Sequence, residues 1–181
     1  MTDTPSPTTV ERTDVLTYWP AHALAELLDL SLPELVAPAG LPLLWHWLYP
    51  LDSPAQRAHG PDGHPSHGIP EPPGPWLQRI FGGGAVTKHR PLPVGEPATR
   101  LTTVTGTETK PGRSGPLTFV TVRNQIHQRD GLALVDEQRV VYREQRPVKG
   151  GNAAPRLSAP AALRGRREVQ IDPVLLFRFP R

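Results

Sequence analysis

The sequence predicts an α+β protein, with short apolar helical segments laid on one face of an antiparallel sheet. Three observations carry that expectation. Two apolar segments, TYWPAHALAELLDL (17–30) and LPLLWHWLYPL (41–51), stand early in the chain. Four runs rich in Val, Thr, Leu and Tyr follow: AVTKHRPL, TRLTTVTGTET, LTFVTVRNQIHQ and LALVDEQRVVYRE. The separators PVGEPA, KPGRSGP and RDG are short, which favours consecutive strands pairing as an antiparallel meander.

Residues 1–14 are rich in Thr, Pro and Ser without periodicity and are expected to form a flexible tail. Pro20 then sits where a first helical turn tolerates proline, and Ala21, Leu24, Leu27 and Leu28 recur at helical spacing. The segment 41–51 is bounded by Pro42 and Pro50 and is apolar nearly all round, the pattern of a short helix buried on most sides. Residues 52–84 are so dense in Pro and Gly that regular structure is not expected there, and a loop of that length is usually functional or mobile.

In the third strand-like run Val120, Val122 and Ile126 share one face, with Thr118 and Asn124 among them. Asp130-Gly131 is a tight hairpin signal between the third run and the fourth. Residues 147–171 have the Pro/Gly/Ala-rich composition of a linker and carry Arg164, Arg166 and Arg167. The chain then reads DPVLLFRFPR (172–181), an apolar strand-like run after an Asp-Pro turn signal.

Composition narrows the function classes. A chain of 181 residues with 37% hydrophobic content supports one modest core, so residues 15–146 are expected to form a single domain. The absence of cysteine removes disulfides, thiol catalysis and Cys-based zinc sites. A net charge of +3 falls short of the clustered basic face of a nucleic-acid binder. No signal-peptide pattern and no apolar run of membrane-spanning length is seen, so a cytoplasmic location away from the membrane is expected.

The order LPLLWHWLYPL, GPDGHPSHG, HRPLPVGEPATR, KPGRSGPLTFVTVR and LALVDEQRVVYRE resembles the N-terminal half of MaoC-like dehydratases. These are double-hotdog hydroxyacyl-thioester dehydratases that include itaconyl- and mesaconyl-CoA hydratase-like enzymes. The resemblance covers about residues 14–145. It implies a single hotdog fold, an antiparallel sheet wrapped on a central helix, with 41–51 as that helix. It also implies addition or removal of water on an acyl chain carried by CoA or acyl carrier protein. Such chemistry needs an aligned general acid/base and a donor that polarises the thioester carbonyl.

In that family the catalytic groups lie in the second hotdog, after a strand resembling DPVLLFRF. Residues 172–181 are therefore expected to be the first strand of a truncated second hotdog, and no catalytic role is carried over onto any residue present. The resemblance implies the substrate-binding half of an (R)-specific enoyl-thioester hydratase, paired with a catalytic hotdog subunit or with a second copy. The alternatives are a non-functional fragment and a stand-alone acyl-thioester-binding hotdog. No cofactor is expected beyond the CoA or carrier-protein thioester itself.

Trp45, His46 and Trp47 on the apolar segment are the candidate acyl-lining residues. His46 is also a candidate general base, although no partner acid lies near it in sequence. Lys110 and Arg113 crown the KPGRSGP hairpin and could meet CoA phosphates; the competing reading is a solvated turn. His59, His64 and His67 lack both the helical spacing and the Cys partners of a zinc site, so no metal is expected. Gly82–Gly84 lack the Lys-Ser/Thr of a P-loop and are expected to loosen the backbone entering a strand. Ser114 has no strand-to-helix elbow after it and is not expected to be a nucleophile. Asp136 and Glu137 are adjacent, so on a strand they face opposite ways and cannot act as a pair.

Overall fold

The structure, a computed structural model, describes residues 9–49, 54–59, 70, 73–74, 77–113, 115–129, 131–144 and 173. Its frame is one antiparallel sheet of five strands: β1 (Thr9–Val15), β2 (Leu77–Lys88), β3 (Pro97–Gly112), β4 (Gly115–Gln128) and β5 (Gly131–Glu144). One α-helix, α1 (Tyr18–Leu27), follows β1 directly. The strand order is β1-β3-β4-β5-β2, a single hotdog-like α+β architecture.

Several expectations require correction. Residues 1–14 are not wholly a tail, because Thr9–Val15 pair along β3 from Thr103 to Pro97. This edge strand is mostly exposed and carries no apolar alternation, so its pairing partner rather than its own pattern makes it a strand. The meander holds only for β3, β4 and β5, since β2 pairs with β5 and lies on the far edge from β3. The strand β2 also begins at Leu77, so the last part of the stretch read as irregular is regular.

A further correction concerns the segment 41–51, where the only helical element among the described residues is a 3-10 turn over Trp45–Leu48. Leu44, which precedes it, adopts φ 73°, a left-handed conformation that a longer helix cannot pass through. Among the described residues the α-helix is α1, whose N-cap Thr17 places Pro20 in the first turn.

Glycines in β2 act within the strand rather than at its entrance. The ladder between β2 and β5 shifts register between Phe81 and Gly84. A Cβ at Gly84 would stand 2.6 Å from the Glu137 carbonyl oxygen, so only glycine allows the strands to approach there. The hairpin from β4 to β5 closes between Gln128 and Gly131, with Arg129 at φ 54° as a tight turn requires.

One sheet face carries the core in two separate clusters. Leu16, Ala21, Leu35, Leu41 and Leu92 join Ala98, Ile126 and Leu134 in the first. Val120, Val122, Val140 and Tyr142 form the second. No helix among the described residues is long and apolar enough to cross a membrane. The expected linker (147–171) and the DPVLLFRFPR strand lie outside the described residues, Pro173 apart.

Candidate functional site

The two apolar clusters are divided by a row of polar side chains crossing the sheet. Thr102 on β3 is registered opposite Asn124 on β4, and Asn124 is registered opposite Asp136 on β5. Directly opposed residues point to the same face, so these three side chains stand side by side. Gln138 follows Asp136 on the same face of β5. Each strand thus carries an apolar stripe interrupted at a matched position, and the interruptions meet in the middle of the sheet.

The segment 41–49 covers this row and is held there by backbone contacts. Leu41 N–H donates to the Leu92 carbonyl at 2.8 Å, and Lys88 Nζ donates to the Leu41 carbonyl at 2.9 Å. Gly40, at φ 66°, packs so closely on Leu92 that a Cβ would stand 2.6 Å from its backbone nitrogen. At the other end Tyr49 donates to the Thr17 carbonyl at 2.6 Å and accepts from Ala21 N–H at 3.2 Å. The 3-10 turn between these anchors delivers His46 and Trp47 to the polar row.

An open cavity of about 380 Å³ lies between the turn and the sheet. Trp47 and Phe81, both well exposed, meet edge to face at 6.5 Å between ring centroids on its apolar side. Ile126 adds an aliphatic wall, while Arg100, Asn124, Asp136 and Gln138 supply the polar lining. Thr102 Oγ1 donates to Asn124 Oδ1 at 2.8 Å. With its oxygen so engaged, the Asn124 amide presents its N–H groups as donors.

Asp136 is the centre of the arrangement and is 2% exposed. Its Oδ2 accepts from Trp47 Nε1 at 2.8 Å and from Gln138 Nε2 at 2.7 Å. His46 Nε2 stands 3.5 Å from the same oxygen, longer than a good hydrogen bond. Burial by itself pushes the Asp136 carboxyl up, but His46 and the hydrogen bonds of Trp47 and Gln138 outweigh it and hold it below the usual carboxylate range. Among the described residues, Asp136 Oδ1 and both ring nitrogens of His46 are buried without a hydrogen-bond partner. A buried carboxylate and an imidazole in contact can orient one another and exchange a proton with a group placed against them.

The structure brings His46 and Trp47 together on the cavity, whereas Trp45 packs against the first apolar cluster. Lys110 and Arg113 stand apart from it. A register shift between Val104 and Gly106 turns Lys110 toward the opposite sheet face, where it lies over the Phe119 ring at 5.7 Å and pairs with Glu108 at 3.1 Å. Arg113 is exposed at the far end of the β3–β4 hairpin. Asp136 and Glu137 do face opposite ways, and Glu137 pairs with Arg123 on the outer face at 2.8 Å.

No group of three His, Cys, Asp or Glu among the described residues gathers to hold a metal. His59 is described, while His64, His67 and Ser114 lie outside the described residues. In the sequence Phe81, Arg100 and Gln138 carry no signal of a site, and Asn124 stands only as a polar break in an apolar stripe. The signal is the coincidence of those breaks across three strands, legible only once the registers are known.

The family model described as hydroxyacyl-thioester dehydratase type 2 matches residues 44–181. The mesaconyl-C(4)-CoA hydratase of Chloroflexus aurantiacus is 41% identical over 162 residues, which is 88% of this chain and 57% of that protein. The chain thus spans a little over half the length of this relative. Among solved structures, an (R)-hydratase from A. caviae shows a TM-score of 0.45 at 15% identity, covering 77% of this chain and 98% of that one. A MaoC-like dehydratase from Rhodospirillum rubrum shows a TM-score of 0.43 at 16% identity, covering 78% and 94%. Likeness at that level bears on neither substrate nor site.

Proposed function

The chain belongs to the hydroxyacyl-thioester dehydratase type 2 family, and from that premise we propose that it is the substrate-binding half of an (R)-specific enoyl-thioester hydratase or 3-hydroxyacyl-thioester dehydratase. The cavity between the 3-10 turn and the sheet receives the acyl portion of a thioester carried on CoA or on acyl carrier protein. Catalysis is assigned to a second hotdog. No cofactor enters this reading beyond the thioester's own carrier.

The observation that carries the reading is the amphiphilic lining. Trp47, Phe81 and Ile126 offer apolar surface to a short acyl chain, and the polar row beside them offers donors and acceptors. A purely apolar groove would fit a fatty tail, and a purely polar one would not desolvate the alkene. Most ligand sites combine apolar walls with a few placed polar groups in this way. The mesaconyl-C(4)-CoA hydratase at 41% identity makes a short branched acyl-CoA the first substrate to test, with itaconyl-CoA beside it.

The test is a hydratase assay on crotonyl-, mesaconyl- and itaconyl-CoA with the purified chain, alone and mixed with a catalytic hotdog partner. The expected result is binding with little turnover alone and turnover on mixing. Robust turnover by the chain alone would overturn the division of labour, and the His46–Asp136 pair would then be the first candidate for the acid/base role.

A further inference from the structure

We propose that His46 and Asp136 hold the 3-hydroxyl group of a hydroxyacyl thioester, so that this cavity selects the hydrated acyl chain over the enoyl form. The proposal rests on the thioester-binding reading above and names the side of the hydration that the cavity favours.

Three polar atoms carry it. Asp136 Oδ1 and both ring nitrogens of His46 are buried and have no hydrogen-bond partner among the described residues. The two side chains are 2% and 4% exposed, and both line the cavity. Buried polar atoms left without a partner are costly, so they favour a ligand group that meets them. A small shift of the His46 ring would close its 3.5 Å gap to Asp136 Oδ2 and satisfy one nitrogen. It would still leave Asp136 Oδ1 and the other nitrogen unmet.

The chemistry of these atoms sets the chemistry of the ligand. An ionised carboxylate only accepts, and Asp136 Oδ2 is already taken by Trp47 Nε1 at 2.8 Å and Gln138 Nε2 at 2.7 Å. Oδ1 is therefore the oxygen that calls for a donor. The imidazole of His46 carries at least one N–H in either protonation state, and that N–H calls for an acceptor. A hydroxyl group supplies both, donating its hydrogen and accepting on its oxygen. The contact between His46 Nε2 and Asp136 Oδ2 leaves no room for an atom between them, so the hydroxyl lies against Oδ1.

An enoyl chain cannot do the same. Its carbons bear only C–H groups and its thioester oxygen only accepts, so it would shield Asp136 Oδ1 from water without replacing the lost hydrogen bond. A 3-hydroxyacyl chain presents an O–H on the carbon to which water adds. Trp47, Phe81 and Ile126 offer the same apolar surface to either skeleton, so the hydroxyl decides. A site built to bond an O–H disfavours the analogue that lacks it.

Butyryl-CoA and (R)-3-hydroxybutyryl-CoA differ only by a hydroxyl in place of a hydrogen, with chain length and carrier held constant. Calorimetric titration of the full chain should show the hydroxyacyl thioester binding about tenfold tighter or more than butyryl-CoA, and tighter than crotonyl-CoA. Asp136→Asn keeps the side-chain shape and removes the charge, and His46→Phe keeps a ring without its nitrogens. The ratio of hydroxybutyryl to butyryl affinity should fall to about threefold or less in each, and either variant decides the matter if the other fails to fold. A ratio near one in the wild-type chain, or crotonyl-CoA binding as tightly as the hydroxyacyl thioester, would overturn the hydroxyl assignment and leave the thioester reading standing. So would a full preference that survives both substitutions. Failure of all three thioesters to bind would overturn the two readings together.

Discussion

The indole Nε1–H of Trp47 donates to Asp136 Oδ2 at 2.8 Å, joining positions 89 residues apart. This bond fixes the 3-10 turn over β5 and sets the height of the cavity. It also gives one oxygen of a buried carboxylate a donor, so the turn and the strand depend on each other. Asp136→Ala leaves the Trp47 and Gln138 donors without their acceptor. A loss of about 1–3 kcal/mol is expected, because part-buried donors that lose their acceptor regain only some of that bond from water. Urea unfolding measures it, and a loss below about 0.5 kcal/mol, the range of surface substitutions, would contradict the bond's role.

Acid sensitivity follows from the same carboxyl. Asp136 is held below its ordinary value in the folded chain, so the unfolded chain binds its proton more readily. The stability this provides is complete above the unfolded value of about 3.9 and fades as pH falls through the lower folded value. Stability measured between neutrality and strong acid should therefore fall less steeply in Asp136→Ala than in the wild-type chain. Identical pH profiles for the two would count against it.

Tyr49 gives the opposite sign. Burial raises its hydroxyl, and the hydrogen bond from Ala21 only partly counters this. The folded chain thus favours the protonated phenol. Its contribution is complete below the unfolded value of about 10 and is lost as pH rises through the higher folded value. Tyr49→Phe should cost about 1–2 kcal/mol at neutral pH and flatten the alkaline limb of the stability profile. Retention of that limb in Tyr49→Phe would show that another group governs it.

The register shift in β2 makes a steric prediction. At Gly84 an added Cβ would meet the Glu137 carbonyl oxygen at 2.6 Å, while at Gly106 it would meet nothing within 4 Å. Gly84→Ala should destabilise by about 2 kcal/mol or more through forced strand separation, and Gly106→Ala should stay within about 0.5 kcal/mol. Thermal melts of the pair suffice, and equal shifts would contradict the close approach of β2 to β5.

Much of the fold was legible because alternation, short separators and the Asp130-Gly131 signal are local. The three central strands and α1 follow from such patterns. What was not legible depends on partners. Thr9–Val15 has no apolar stripe of its own, and β2 joins β5 across the sheet rather than its neighbour in sequence. Segment 41–51 reads as a helix by composition, but Pro42 and the left-handed Leu44 leave room for one 3-10 turn. His46 and Trp47 were visible as polar and aromatic residues in an apolar run. Their acid, Asp136, was not, because 89 residues separate it from Trp47 and only strand register places it beneath them.

The most direct test of acyl binding at the polar row is a 1H–15N spectrum of the full chain titrated with crotonyl-CoA. The Trp47 indole N–H and the Asn124 and Gln138 side-chain amides should shift together and saturate. The Trp19 indole, exposed on α1 and stacked on His22 at 5.7 Å, should stay in place. Saturable binding that leaves the Trp47, Asn124 and Gln138 signals unmoved, or no binding at millimolar thioester, would contradict the assignment of this cavity.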